Sequence, residues 1–232
     1  MWLLNSIRES KKLRTHYKLH DIDIYIKDRL PEHIDPNFVF LYVAKQIPSH
    51  LLRNIDIIYV GEFDNIKKKK ANAVFENGAI FVSNEQDSDI DMIDDLIHEI
   101  AHSNEEQYED IVYADGQLEK EYSWKRKALF RLLNDAKGYK IPVSYVLDFS
   151  YSEEIEDILY DEVGYTTLNS LINGIFTSTY SAVSIREYFA RGFEEYFLGD
   201  KKKLKELCPI LYSKIEQLYN LEDSWAIYLI LN

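Results

Sequence analysis

The chain has 232 residues, of which 46% are hydrophobic and 14% aromatic. That much apolar surface excludes a disordered polymer and suffices for one substantial core, read here as a single domain over residues 1–232. A formal net charge of −13 argues against a general nucleic-acid binder, because neutralising phosphates needs a surplus of Lys and Arg on some face.

The opening stretch MWLLNSIRESKK has only four apolar residues before polar ones, far short of a secretory leader's core. The longest apolar run, Phe38 to Ala44, is too short to span a bilayer. These readings point to the cytoplasm and away from a membrane, with delivery by another route left open. One cysteine, Cys208, cannot form an intramolecular disulfide; beside Leu207 and Ile210 it reads as a buried thiol. The basic runs Lys67–Lys70 and Lys201–Lys203 read as solvated loop or helix-start charges.

In chain order, DIDIYI (21–26) and IDIIYV (55–60) alternate as strands do, around a helical segment from about 35 to 52. NAVFENGAIFVS (72–83) reads as a hairpin whose Asn77-Gly78 pair supplies the positive φ angles of a type I′ turn. Beyond Asp87 the period becomes helical, with candidates at 88–106, 115–136, 152–162, 166–174, 182–198 and 202–219. The expected class is α+β: a small N-terminal mixed sheet and a long helix within residues 1–106, then a mostly helical part over 107–232.

The helix from Ser88 holds His98-Glu99-Ile100-Ala101-His102, and Ile90, Ile93, Ile97, Ile100 and Ala101 gather on its core side. Two histidines four residues apart stack about 6 Å apart along the axis and can converge on one zinc ion. Glu99, one residue round, would stand beside the metal, where a carboxylate can take a proton from metal-activated water. Asp87, Asp89 and Asp91 complement the positive end of the helix dipole.

A catalytic zinc site generally takes three protein ligands. Glu105 would lie about 10 Å along the axis from His98, too far for one tetrahedral ion, and Tyr108 stands where a short-spacer metzincin has its third histidine. On the later helix Glu187, Ala190 and Glu194 share a face, opposite Phe189, Phe193 and Tyr196. Glu187 could serve as a ligand there; it could equally complete a capping box with Ser184 or pair with Arg191.

Ile97-His98-Glu99-Ile100-Ala101-His102, followed by Tyr180 and by Glu187-Tyr188-Phe189-Ala190-Arg191-Gly192-Phe193, resembles the catalytic core of the anthrax lethal factor-like zincins, a gluzincin group. The likeness covers at most residues 55–200, and the 85 positions from His102 to Glu187 exceed the group's usual spacer. It implies His98, His102 and Glu187 as Zn²⁺ ligands, Glu99 as general base and Tyr180 as donor to the oxyanion. It also implies a zincin-like fold in which an edge strand beside the active-site helix, here AIFVS (79–83), pairs with an extended peptide substrate.

The expected activity is that of a zinc-dependent endopeptidase acting on a protein or peptide. Two rivals stand beside it: a non-catalytic zinc-stabilised interaction module, and a toxin-type effector with the same chemistry. His16, His20, His33 and His50 lack ligand spacing and read as surface or satisfied core residues.

Overall fold

The computed structural model describes residues 16–136 and 138–221, so the opening stretch MWLLNSIRESKK lies outside the described residues. Contacts divide the chain into two compact units, Met1–Gln107 and Tyr108–Asn232. The protein is of the α+β class, with a small mixed sheet at the N-terminal side and helices predominating after it.

In the first unit, strands β1 (His16–Leu19), β2 (Ile22–Ile26), β3 (Ile57–Val60), β4 (Ala73–Glu76) and β5 (Ala79–Val82) form one five-stranded sheet in the order β1-β2-β3-β5-β4. β2, β3 and β5 run parallel, and β1 and β4 close the two edges antiparallel. The parallel register aligns Ile24, Ile58 and Ile80 on the buried face. Their neighbours Tyr25, Tyr59 and Phe81 align on the other face, with ring centroids 6.1 and 5.3 Å apart. Alternation with period two dictates this division once one face is covered.

Both hairpins turn on two residues, and each contains a left-handed residue. Asn77 (φ 52°) and Gly78 (φ 79°) supply the type I′ geometry expected between β4 and β5. His20 (φ 52°) turns β1, which no alternation in the sequence announces, into the expected strand β2.

The strand assignment needs one correction. AIFVS, expected at the edge, is flanked on both sides: β5 pairs with β3 and with β4. The edge beside the long helix is β4, because the tight Asn77-Gly78 turn folds this preceding strand back onto the outer side of β5.

Helix α1 (Pro36–Gln46) follows an Asp35 N-cap and packs on β1 and on the long helix α3 (Asp89–Gln107), while the short α2 (Asp64–Lys69) carries the first basic run. The helical reading of 35–52 breaks at Pro48, after which Ser49–Leu52 form a 3-10 turn. On α3, Ser88 Oγ accepts from Asp91 N at 3.2 Å, capping the start, and Met92, Ile93, Leu96, Ile97, Ile100 and Ala101 are buried. Ile90, placed on the core side from the helical wheel, is 55% exposed, and the buried stripe of the helix begins at Met92.

The second unit contains α4 (Glu109–Tyr113), α5 (Gln117–Arg131), α6 (Val143–Leu147), α7 (Glu153–Asp157), α8 (Tyr165–Ile172), α9 (Ile185–Leu198), α10 (Lys201–Leu207) and α11 (Pro209–Tyr219). Wider π-helical turns extend α5 over Leu132–Ala136 and follow α7 over Ile158–Gly164. The helix expected over 202–219 is two helices, since Pro209 lacks an N–H and starts a new helix at its first turn. Among the described residues no helix is long and apolar enough to cross a membrane.

Gly192 of α9 sets how closely α11 approaches. A Cβ built on it would lie 2.3 Å from Leu211 Cδ2 and 2.7 Å from Leu211 Cγ, well inside contact distance, and Leu211 is fully buried. Gly192→Val is therefore expected to lower stability by about 2–3 kcal/mol through overpacking, read as a fall in the urea midpoint without a change in slope.

Candidate metal centre

Helix α3 carries the histidine pair. The buried run Ile93, Leu96, Ile97, Ile100 and Ala101 fixes the rotation of the helix, and the histidines follow from that rotation. His98 Nε2 and His102 Nε2 lie 3.1 Å apart, with ring centroids 4.8 Å apart and planes at 79°. Two nitrogens at tetrahedral positions on one zinc, each about 2.05 Å from it, would be separated by about 3.3 Å. The observed spacing is close to that, so the pair fits a tetrahedral ion with little movement.

Glu105 sets the tautomer of His102. Its Oε2 lies 3.2 Å from His102 Nδ1, and both side chains are largely withdrawn from water, with 6% and 11% exposed. An ionised carboxylate can only accept, so Nδ1 bears the proton and the Nε2 lone pair points toward His98. Glu105, too far along the axis to share an ion with His98, serves instead as a partner of His102. Its i,i+3 spacing from His102 was the signal for this supporting role.

Glu99 is buried, with 7% of its surface exposed, and its Oε2 accepts a hydrogen bond of 2.5 Å from Phe75 N. The bond Ser83 N to Asn72 O makes residues 72 and 83 a bonded pair, and pairs then alternate along the hairpin. Phe75, opposite Ile80, falls at a non-bonded position, so its N–H points off the open edge of β4 to Glu99. No sequence pattern announces this bond, because it joins residues 24 apart through the strand order.

The C-terminal half of α3 is anchored by side chains reaching the segment before β3. Asn104 Nδ2, fully buried, donates to Leu51 O at 2.8 Å and to Ile100 O at 2.7 Å, and Asn54 Nδ2 donates to Ser103 O at 3.1 Å.

In the second unit, α9 and the 3-10 turn Tyr180–Ala182 carry the other expected residues. Ser184 Oγ accepts from Glu187 N at 3.2 Å, so the N-cap half of the expected capping box forms. Arg191 Nη1 donates to Glu194 Oε2 at 2.7 Å, one turn on along the same helix. As expected, Phe189, Phe193 and Tyr196 face the core. Ala190 is buried too, but the close helix approach occurs at Gly192.

Arg191 lies over the Tyr180 ring, 5.4 Å from its centroid. Burial, and then the charges of Glu187 and Glu156, push the Tyr180 phenol up, so it remains a protonated hydrogen-bond donor at neutral pH. Cys208 is buried, and burial raises its thiol pKa as well, which fits a packing role. Among the remaining histidines, His20 Nε2 bonds Ala44 O, His33 Nε2 bonds Gln86 O, and His50 is buried.

Comparison with known proteins found no matching family model, curated protein or solved structure.

Asn104→Ala removes the anchoring bond to Leu51 O together with the bond to Ile100 O and is expected to cost about 1–3 kcal/mol, measured by urea unfolding; an unchanged midpoint would show that the anchor is not limiting.

Proposed function

We propose that the protein is a zinc-dependent endopeptidase of zincin-like fold, with His98, His102 and Glu187 as metal ligands. The observation that carries this reading is the His98–His102 pair, its Nε2 atoms 3.1 Å apart and the second imidazole oriented through Nδ1 by Glu105. That orientation leaves the Nε2 lone pair of His102 available to a cation on the side where His98 lies. Two histidines and a glutamate suit zinc and leave a fourth position open.

When bound, the metal supplies Lewis-acid polarisation of the scissile carbonyl and lowers the pKa of water. The remaining work falls to the chain. Glu99, held by Phe75 N–H through one oxygen, keeps the other to take a proton from the attacking water and return it to the leaving nitrogen. Tyr180, kept protonated by burial and nearby carboxylates, donates to the oxyanion. The substrate is an extended peptide lying along the edge of β4, where backbone groups other than the Phe75 N–H held by Glu99 are not paired with β5.

Metal analysis combined with cleavage of a peptide library tests the reading. Glu99→Gln is expected to retain the metal and lose about 10²–10⁴-fold in cleavage rate, whereas Glu187→Ala is expected to lose the metal. Undiminished hydrolysis by metal-replete Glu99→Gln would defeat the base assignment; bound metal without cleavage in the parent protein would favour the non-catalytic module. Tyr180→Phe should keep its metal while kcat falls about 10²-fold or more, since one oxyanion donor is removed. Replacing Glu105 by Gln should weaken metal binding about 10–100-fold, followed by competition with a chromogenic chelator.

A further inference from the structure

Arg126 of α5 is fully buried, and it is the largest such side chain among the described residues. Its guanidinium carbon lies 5.6 Å from the ring centroids of both Tyr122 and Phe130, so two aromatic faces enclose the cation. Nη1 donates to Tyr122 Oη at 3.2 Å, and that hydroxyl donates to Ala182 O at 3.1 Å. Nε and Nη2 are buried and meet no acceptor among the described residues.

Those two nitrogens form one edge of the guanidinium. Their N–H bonds run side by side, in the fork with which arginine takes an anion through two hydrogen bonds. The charge also lacks a direct counterpart. Asp148 acts on the guanidinium only through space; it is exposed, and its Oδ1 accepts from Ser150 N at 3.0 Å. Tyr122 supplies a lone pair but no charge, and burial lowers the pKa of the guanidinium. A buried cation with two unsatisfied donors is among the costliest arrangements in a protein interior, and removing that cost takes an acceptor that also carries negative charge.

We propose that the Nε/Nη2 edge of Arg126 holds a monovalent anion the size of chloride, as a structural ligand of the second unit. A water molecule would satisfy the donors and leave the charge uncompensated. A carboxylate on a peptide would need the guanidinium at the surface. A small spherical anion meets both demands within a fully buried site.

The test is thermal unfolding of the whole chain with chloride replaced stepwise by gluconate at constant ionic strength. Binding to the folded state alone predicts a Tm that climbs by roughly 3–6 °C per tenfold increase in chloride above the dissociation constant, with bromide substituting for chloride. Arg126→Met, which keeps the length of the side chain and removes the fork, should abolish that dependence. A parent protein insensitive to chloride, or a folded Arg126→Met protein with undiminished dependence, would overturn the proposal. Should that variant not fold, crystals of the parent grown in bromide decide the matter. An anomalous peak within hydrogen-bonding distance of Nε and Nη2 supports the site, and a water there with no anomalous signal overturns it.

Discussion

Polar side chains that α3 carries out of water must each find a partner, and much of the order in the first unit follows from how they do so. Asn104 reaches the Leu51 carbonyl, Glu99 the Phe75 amide and Glu105 the His102 ring, while the apolar stripe between them presses on the sheet. Packing fixes which face of the helix turns inward but leaves its advance along the axis less tightly specified, since a stripe of Ile and Leu tolerates small shifts. Hydrogen bonds of defined length do not. Helix geometry brings the two imidazoles together, and these contacts hold the half of the helix that carries them.

The second unit handles charge differently. The chain is acidic overall, yet this unit buries cations, and it gives two of them backbone acceptors. Lys125 Nζ donates to Ile175 O and Leu207 O at 2.6 and 2.8 Å, and Lys214 Nζ donates to Ile111 O at 2.7 Å and Asp115 Oδ2 at 2.8 Å. Leu207 is the last residue of α10, so Lys125 satisfies a carbonyl left over at a helix end, where the dipole favours positive charge. Glu121 does the converse. Its carboxylate accepts from Ile210 N and Leu211 N at the start of α11 and from the Tyr188 hydroxyl, closing donors that Pro209 leaves exposed by opening the helix. Arg126 stands apart from this pattern, with one edge committed and the other open.

The histidine pair, its glutamate, the Asn-Gly turn and the α+β order could be read directly, because each is a short-range pattern whose geometry follows from one helix or one turn. The edge strand could not. AIFVS and NAVFE are both β-prone, and which of them ends outermost depends on the pairing of β5 with β3, residues that lie more than twenty positions apart. Exposed Ile90 and the break before Pro209 show the same limit from two sides: a helical wheel indicates which residues share a face, but not how far along the helix the covering layer extends. Proline marked the second break in plain sight. Continuous helical periodicity across it outweighed the missing N–H.

The sequence by itself determined that His98 and His102 share a helix face and that Glu99 lies beside it, since a rise of about 1.5 Å and a turn of about 100° per residue leave no alternative once the helix forms. It also determined that Tyr180 and Glu187 stand seven positions apart, with Tyr180 ahead of the helix that carries Glu187. Only the tertiary structure decided that Glu105 would orient His102, that the Phe75 amide would hold Glu99, and that Gly192 would admit Leu211. The physical reason is the range of the interactions. Backbone geometry acts over one turn and is written in spacing, whereas hydrogen bonds between elements and contact between helices depend on which surfaces meet, and no local pattern of residues specifies that meeting.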